Sequence, residues 1–120
     1  MTSPAVTATM KTFGHPQTLI AEYEWWAVML RPAQPTLGAL VLAAKYEATA
    51  FGALPAPAFA EMGRAIADIE AALTAFRPYA KINYLMLMMK DPEPHFHVVP
   101  RYPDPQSFEE HDFADAGWPG

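Results

Sequence analysis

Cysteine is absent from the 120 residues. That removes thiolate nucleophiles, cysteine-built metal centres and disulfide frameworks together, and leaves His, Asp and Glu to carry any chemistry. Charge is scarce as well. Only 18% of the residues are charged, and eight Lys and Arg stand against 13 Asp and Glu for a formal net charge of −5. A chain binding a nucleic-acid polymer has the opposite balance, so no such partner is expected. Long apolar runs are missing too. The stretches Trp25 to Leu30, Leu37 to Ala44 and Tyr84 to Met89 fall far short of the roughly 20 residues of a membrane helix. No basic start followed by an apolar run occupies Met1 to Met10, so no secretory signal is read there and the expected compartment is the cytoplasm.

What is present is a 52% hydrophobic chain, enough for one domain with its own core. Its charge is unevenly placed. Residues 1–102 hold all eight basic groups and eight acidic ones, whereas residues 103–120 hold Asp104, Glu109, Glu110, Asp112 and Asp115 with no Lys or Arg. The chain therefore divides into a flexible arm over 1–17, a neutral domain over 18–102 and an acidic tail over 103–120. The tail is expected to fold back as a flap or partner contact.

Within the domain, Glu22 to Arg31 (EYEWWAVMLR) is rich in aromatic and β-branched residues and ends at Pro32, which predicts a strand. Leu37 to Ala44 predicts a second, paired with it as a hairpin. A short helical turn fits Lys45 to Phe51. Phe59, Met62, Ile66, Ile69, Leu73 and Phe76 recur at helical spacing between Pro57 and Arg77, and predict one amphipathic helix. Lys81 to Met89 and His95 to Tyr102 read as two further strands. The expected class is α+β, an antiparallel meander sheet with one main helix packed on one face. Met86, Met88 and Met89 are assigned to adaptable core. Trp25 and Trp26 are assigned to opposite faces and to packing, and His15 and His111 to solvated positions.

The chemistry concentrates in Asp91 to Tyr102, DPEPHFHVVPRY. Alternation along a strand puts Glu93, His95 and His97 on one face, about 6.5 to 7 Å apart. Three readings remain open from the residues alone. The histidines are half-exposed on a solvated face; or they form a metal site, with His15 or His111 completing it; or they perform acid, base or nucleophilic chemistry.

In His95-Phe96-His97-Val98-Val99-Pro100-Arg101 the chain resembles the histidine-triad (HIT) family of nucleotide hydrolases and transferases. Leu30 to Lys45 (LRPAQPTLGALVLAAK), the single helix and Lys81 to Met86 (KINYLM) follow the family's order, so the resemblance covers about residues 18–102. It is nearest to bacterial members described as diadenosine-polyphosphate-hydrolase-like. The resemblance implies a HIT-like fold, a homodimer, and hydrolysis or transfer at a nucleotide α-phosphate through a nucleotidyl-histidine, with no metal and no cofactor. The substrate implied is a dinucleoside polyphosphate, a phosphoramidate or a similar conjugate. By position His95 matches the nucleophile, His97 the third histidine, and Asn83 a substrate-binding asparagine, while Arg101 is assigned to a surface or dimer contact. Glu93 stands where the first histidine is expected, able to orient a ring. The connection KDPEP lacks the Gly and Gln of the usual phosphate loop. The alternatives are a catalytically impaired nucleotide-binding module and a metal-binding protein using Glu93, His95 and His97.

Overall fold

The aromatic run around Trp25 is not one strand. In the computed structural model of the chain, which describes residues 3–120, it is divided between β1 (Leu19–Glu22) and β2 (Trp26–Leu30), paired antiparallel. No glycine or proline lies between them. Their turn is held from a distance, because the Glu61 carboxylate accepts from the backbone N–H groups of Glu24 and Trp25 at 3.2 and 2.7 Å. A turn whose partner lies far along the chain leaves no local signal.

The second predicted strand starts later than expected, as β3 (Leu40–Ala44). Gly38 bends the chain before it with φ +93°, in the left-handed region where a side chain is strained. The helical turn expected before the main helix is a single 3-10 turn at Phe51–Ala53. Helix α2 (Ala56–Phe76) then opens on prolines, which cost nothing where N–H groups are unpaired anyway. The five-residue helix α1 (Ala8–Thr12) precedes them all.

Helix α2 packs through the expected stripe at its centre and not at its ends. Ile69 and Leu73 are buried and Met62 and Ile66 pack against the core as expected, whereas Phe59 and Phe76 are 38% and 43% exposed and Ala58 and Ala65 are buried instead. The alanines follow the same three-and-four spacing and let the helix lie close to the sheet, so the bulky rings are turned to the flanks. Phe59 rests there on Phe51, and Phe76 on Phe108.

Strands β4 (Lys81–Leu85) and β5 (His95–Arg101) complete a five-stranded antiparallel sheet in the order β1-β2-β3-β5-β4. β4 stops short of Met89 for a reason visible in the register. Leu85 faces His97, so extending the ladder would set Met88 and Lys90 against Pro94 and Pro92, which have no N–H to donate. The methionines consequently leave the core. Met86 and Met88 are half-buried, and Met89 is 86% exposed. Pro100 is tolerated inside β5 because it lies beyond Val98, the last residue paired with β3.

The sheet has two faces. Trp26, Val28, Leu40, Leu42, Ala44 and Val98 point toward α2, and the Trp26 indole N–H donates to the Ala58 carbonyl at 2.7 Å. Ala27, Met29, Val41 and Ala43 point the other way and pack with Met10 and Phe13. Part of the stretch expected as a flexible arm is thus packed down, with Met10 fully buried; residues 1 and 2 lie outside the described residues. The acidic tail turns back on the body. β6 (Gln106–Phe108) and β7 (His111–Phe113) form a separate hairpin, tied to the end of α2 by Arg77, which donates to the Ser107 carbonyl at 2.7 Å.

Candidate active site

β5 pairs His95 with Ala43 and His97 with Val41, so both imidazoles stand on the face opposite α2. Their rings meet edge to face, centroids 5.2 Å apart at 82°. Val99 and Arg101 continue the same row. Glu93 does not join it, because it precedes the strand. Its carboxylate turns to α1, where one oxygen accepts from the Thr9 N–H at 3.0 Å and the Thr9 hydroxyl at 2.7 Å.

Glu93 still orients a ring, through its backbone. Its carbonyl oxygen lies 2.8 Å from His95 Nδ1. A carbonyl only accepts, so the hydrogen resides on Nδ1 and the lone pair of the neutral ring on Nε2. His95 is 1% exposed, with the Phe13 ring 5.7 Å from it and 5.6 Å from His97. Glu93 therefore clasps the segment that roofs the histidines. Glu93→Ala is expected to cost about 1.5–3 kcal/mol, the range for bonds to a charged acceptor. It is also expected to speed modification of His95 by diethyl pyrocarbonate. Unchanged stability and unchanged reactivity would show that the clasp holds nothing.

His97 is half-buried, and its Nδ1 has no hydrogen-bond partner among the described residues. Burial first, then the neighbouring His95 and Arg31, hold its pKa below the usual 6.5. The neutral ring is the form present at pH 7. Because the unfolded chain takes up this proton first, the contribution of His97 to stability is complete above pH 6.5. It declines as the pH falls below 6.5 toward the folded-state value. An NMR titration is expected to place the His97 midpoint below 6.5; a midpoint at or above it contradicts the burial argument.

Beside His97 the face opens into a groove of about 360 Å³, walled by Arg31, Thr36, Leu87 and Leu85, with Arg101 and Asp115 at one end. Asn83 belongs to this end and not to His95: it pairs with Val99, and its side-chain oxygen accepts from Arg101 at 2.8 Å. Arg101, expected as a surface or dimer contact, is instead held by Asp115 within the chain. Arg31 was not singled out in the sequence, where it marks only the end of a strand; the approach of the Pro32 to Ala39 loop to β5 brings it to the groove.

The metal alternative fails on geometry. The Glu93 carboxylate points to Thr9, and among the described residues no three His, Asp or Glu side chains are grouped to hold an ion. His111 is exposed on β7 and His15 half-buried after α1. Trp25 lies before β2 and leans on Tyr46, so it does not take the face opposite Trp26 as a strand residue would.

No protein-family model and no curated protein matches the chain. Solved structures do. A HIT family protein from Bacillus anthracis is 21% identical with a TM-score of 0.63, over 72% of this chain and 65% of that one. A histidine triad protein from Bradyrhizobium japonicum is 18% identical with a TM-score of 0.66, over 98% of this chain and 78% of that one. The chain thus spans 65% of the length of the first. What is shared at these identities is the fold: the antiparallel five-stranded sheet with one main helix is the architecture of histidine-triad proteins.

Proposed function

We propose that this chain is a nucleotide hydrolase or nucleotidyl transferase of the diadenosine-polyphosphate-hydrolase-like kind, with His95 as its nucleophile. The observation that carries this reading is the bond from His95 Nδ1 to the Glu93 carbonyl. It fixes the tautomer that leaves Nε2 unprotonated, and it stabilises the positive ring that attack creates.

In the proposed reaction Nε2 forms a bond to the α-phosphorus while the bond from phosphorus to the leaving oxygen or nitrogen breaks. The ring becomes nucleotidylated. Water then attacks the same phosphorus, the P–N bond breaks, and the nucleoside monophosphate leaves with His95 restored. His97 contributes as a neutral hydrogen-bond donor to the phosphoryl oxygens, and Asn83 as a polar contact at the far end of the groove. Phe13 has to swing aside for Nε2 to be reached. No helix of the described residues is long and apolar enough to cross a membrane, in keeping with action on small nucleotides in the cytoplasm.

The proposed active unit is a homodimer. β4 is an edge strand of the five-stranded sheet, and its unpaired backbone is suited to pairing with a second copy. The sedimentation mass, of one chain or two, decides this.

One observation favours the second reading, a nucleotide-binding module without turnover: His95 is 1% exposed beneath Phe13, in a chain with Glu93 at the first triad position. Incubation with diadenosine polyphosphates and adenosine phosphoramidates separates the two. The enzyme reading expects turnover that is lost in His95→Ala; saturable binding with no product supports the module.

A further inference from the structure

The end of the groove is built around one guanidinium. Arg101 Nε and Nη2 donate to the two oxygens of Asp115 at 2.5 and 2.9 Å, Nη2 also to the Gly120 carbonyl at 2.6 Å, and Nη1 to Asn83 at 2.8 Å. The Asp115 side chain is only 5% exposed. A two-toothed bond of this kind is how arginine holds a carboxylate or a phosphate, since both present two oxygens at matching separation. Arg31 lines the same groove. Among the described residues Arg31 has no acidic partner within salt-bridge distance, and its Nη1 donates to the Ala33 carbonyl. One arginine of the groove is therefore satisfied by the acidic tail, and the other is free to receive an anion.

We infer that Arg31 and Arg101 form an anion subsite beside His97, occupied in this structure by the chain's own Asp115 carboxylate, and that a pyrophosphate-type group takes its place. The inference rests on the proposed function for the role of that group, as the part of a polyphosphate substrate that departs from the attacked phosphorus. Three features make the exchange feasible. Asp115 reaches the groove from the segment after β7, which is separate from the Arg77 and Phe76 contacts that fasten the hairpin, so it can withdraw while the hairpin stays docked. The groove is open along the Leu85 and Leu87 side, both exposed. Finally, residues 1–102 carry no net charge, so withdrawal of Asp115 removes the one carboxylate bonded to Arg101 in the groove, the nearest negative charge an incoming phosphate meets.

The ligand chemistry is that of a phosphate chain, whether the distal end of a nucleotide or free pyrophosphate. Inorganic pyrophosphate is the probe, because it has no nucleoside and needs no nucleophile; the test stands or falls apart from the chemistry assigned to His95. Calorimetric titration is expected to show Asp115→Asn binding pyrophosphate about 10-fold more tightly than the wild type, since a charged competitor is removed from a charge-assisted bond. Arg31→Ala added to Asp115→Asn is expected to abolish the gain, and Asp112→Asn, which removes the same charge from β7, to leave affinity unchanged. In the unmodified protein the Arg101 Nε–H resonance is expected to move as pyrophosphate is added, which keeps the test available if Asp115→Asn folds poorly. Nucleotides can then be compared with pyrophosphate at the same Arg101 signal to separate the two sources. No gain in Asp115→Asn, a gain that survives Arg31→Ala, an equal gain in Asp112→Asn, or a stationary Arg101 resonance overturns the subsite.

Discussion

His95→Ala is expected to lower turnover of a diadenosine polyphosphate by on the order of 10³-fold or more, the scale set by losing a covalent nucleophile. The chain offers little to replace it. There is no cysteine, His97 lacks the carbonyl that fixes the His95 tautomer, and the Glu93 carboxylate is engaged by Thr9. Substrate affinity should fall much less than turnover, because the arginines and His97 that line the groove are untouched. Steady-state kinetics with circular dichroism as the folding control reads both. A variant that keeps more than a tenth of wild-type turnover would remove His95 from the chemistry.

The largest effect on stability is expected at Trp26. It is fully buried between the sheet and α2, and its indole bond to the Ala58 carbonyl sits where the alanine stripe brings the helix close. Trp26→Ala is expected to cost about 3–5 kcal/mol, combining lost burial with the cavity left behind. That is a large part of the 5–15 kcal/mol typical of a whole domain, about. Trp26→Phe keeps most of the apolar area but leaves the Ala58 carbonyl without its donor, for a loss of about 1–3 kcal/mol. Leu87→Ala, at an exposed position, is expected to stay within about 0.5 kcal/mol. Urea denaturation midpoints order the three; a Trp26→Ala protein as stable as Leu87→Ala would mean that α2 is not held to the sheet by this residue.

The fold was legible where local chemistry and tertiary structure agree. Helix α2 and strand β5 fall within two residues of their expected bounds, because prolines and periodic apolar residues mark them from inside their own segments. The turn between β1 and β2 was hidden, since its hydrogen-bond acceptor is Glu61. The helix stripe was misjudged at its ends by favouring phenylalanine over alanine: size predicts burial only when the neighbouring element leaves room, and here close approach decided it. The tail hairpin turns through Glu109 and Glu110 at φ 48° and 66°, a backbone that usually advertises itself with Asn or Gly. At the site, alternation placed His95 and His97 together as expected. It put Glu93 with them only on the assumption that the strand reached that far, and Pro94 ended it first. Arg31, Phe13 and Asp115 come to the site from segments distant in sequence, and nothing in their own neighbourhoods marks them.

Attack of His95 Nε2 on phosphorus leaves a covalent trace. Rapid mixing with a diadenosine polyphosphate, quenching under conditions that preserve P–N bonds, and mass spectrometry of the peptide spanning β5 detect it. One nucleotidyl group on His95 is expected, formed within a single turnover and absent from His95→Ala. Product formation with no adduct at any time, or an adduct on another residue, contradicts attack by His95.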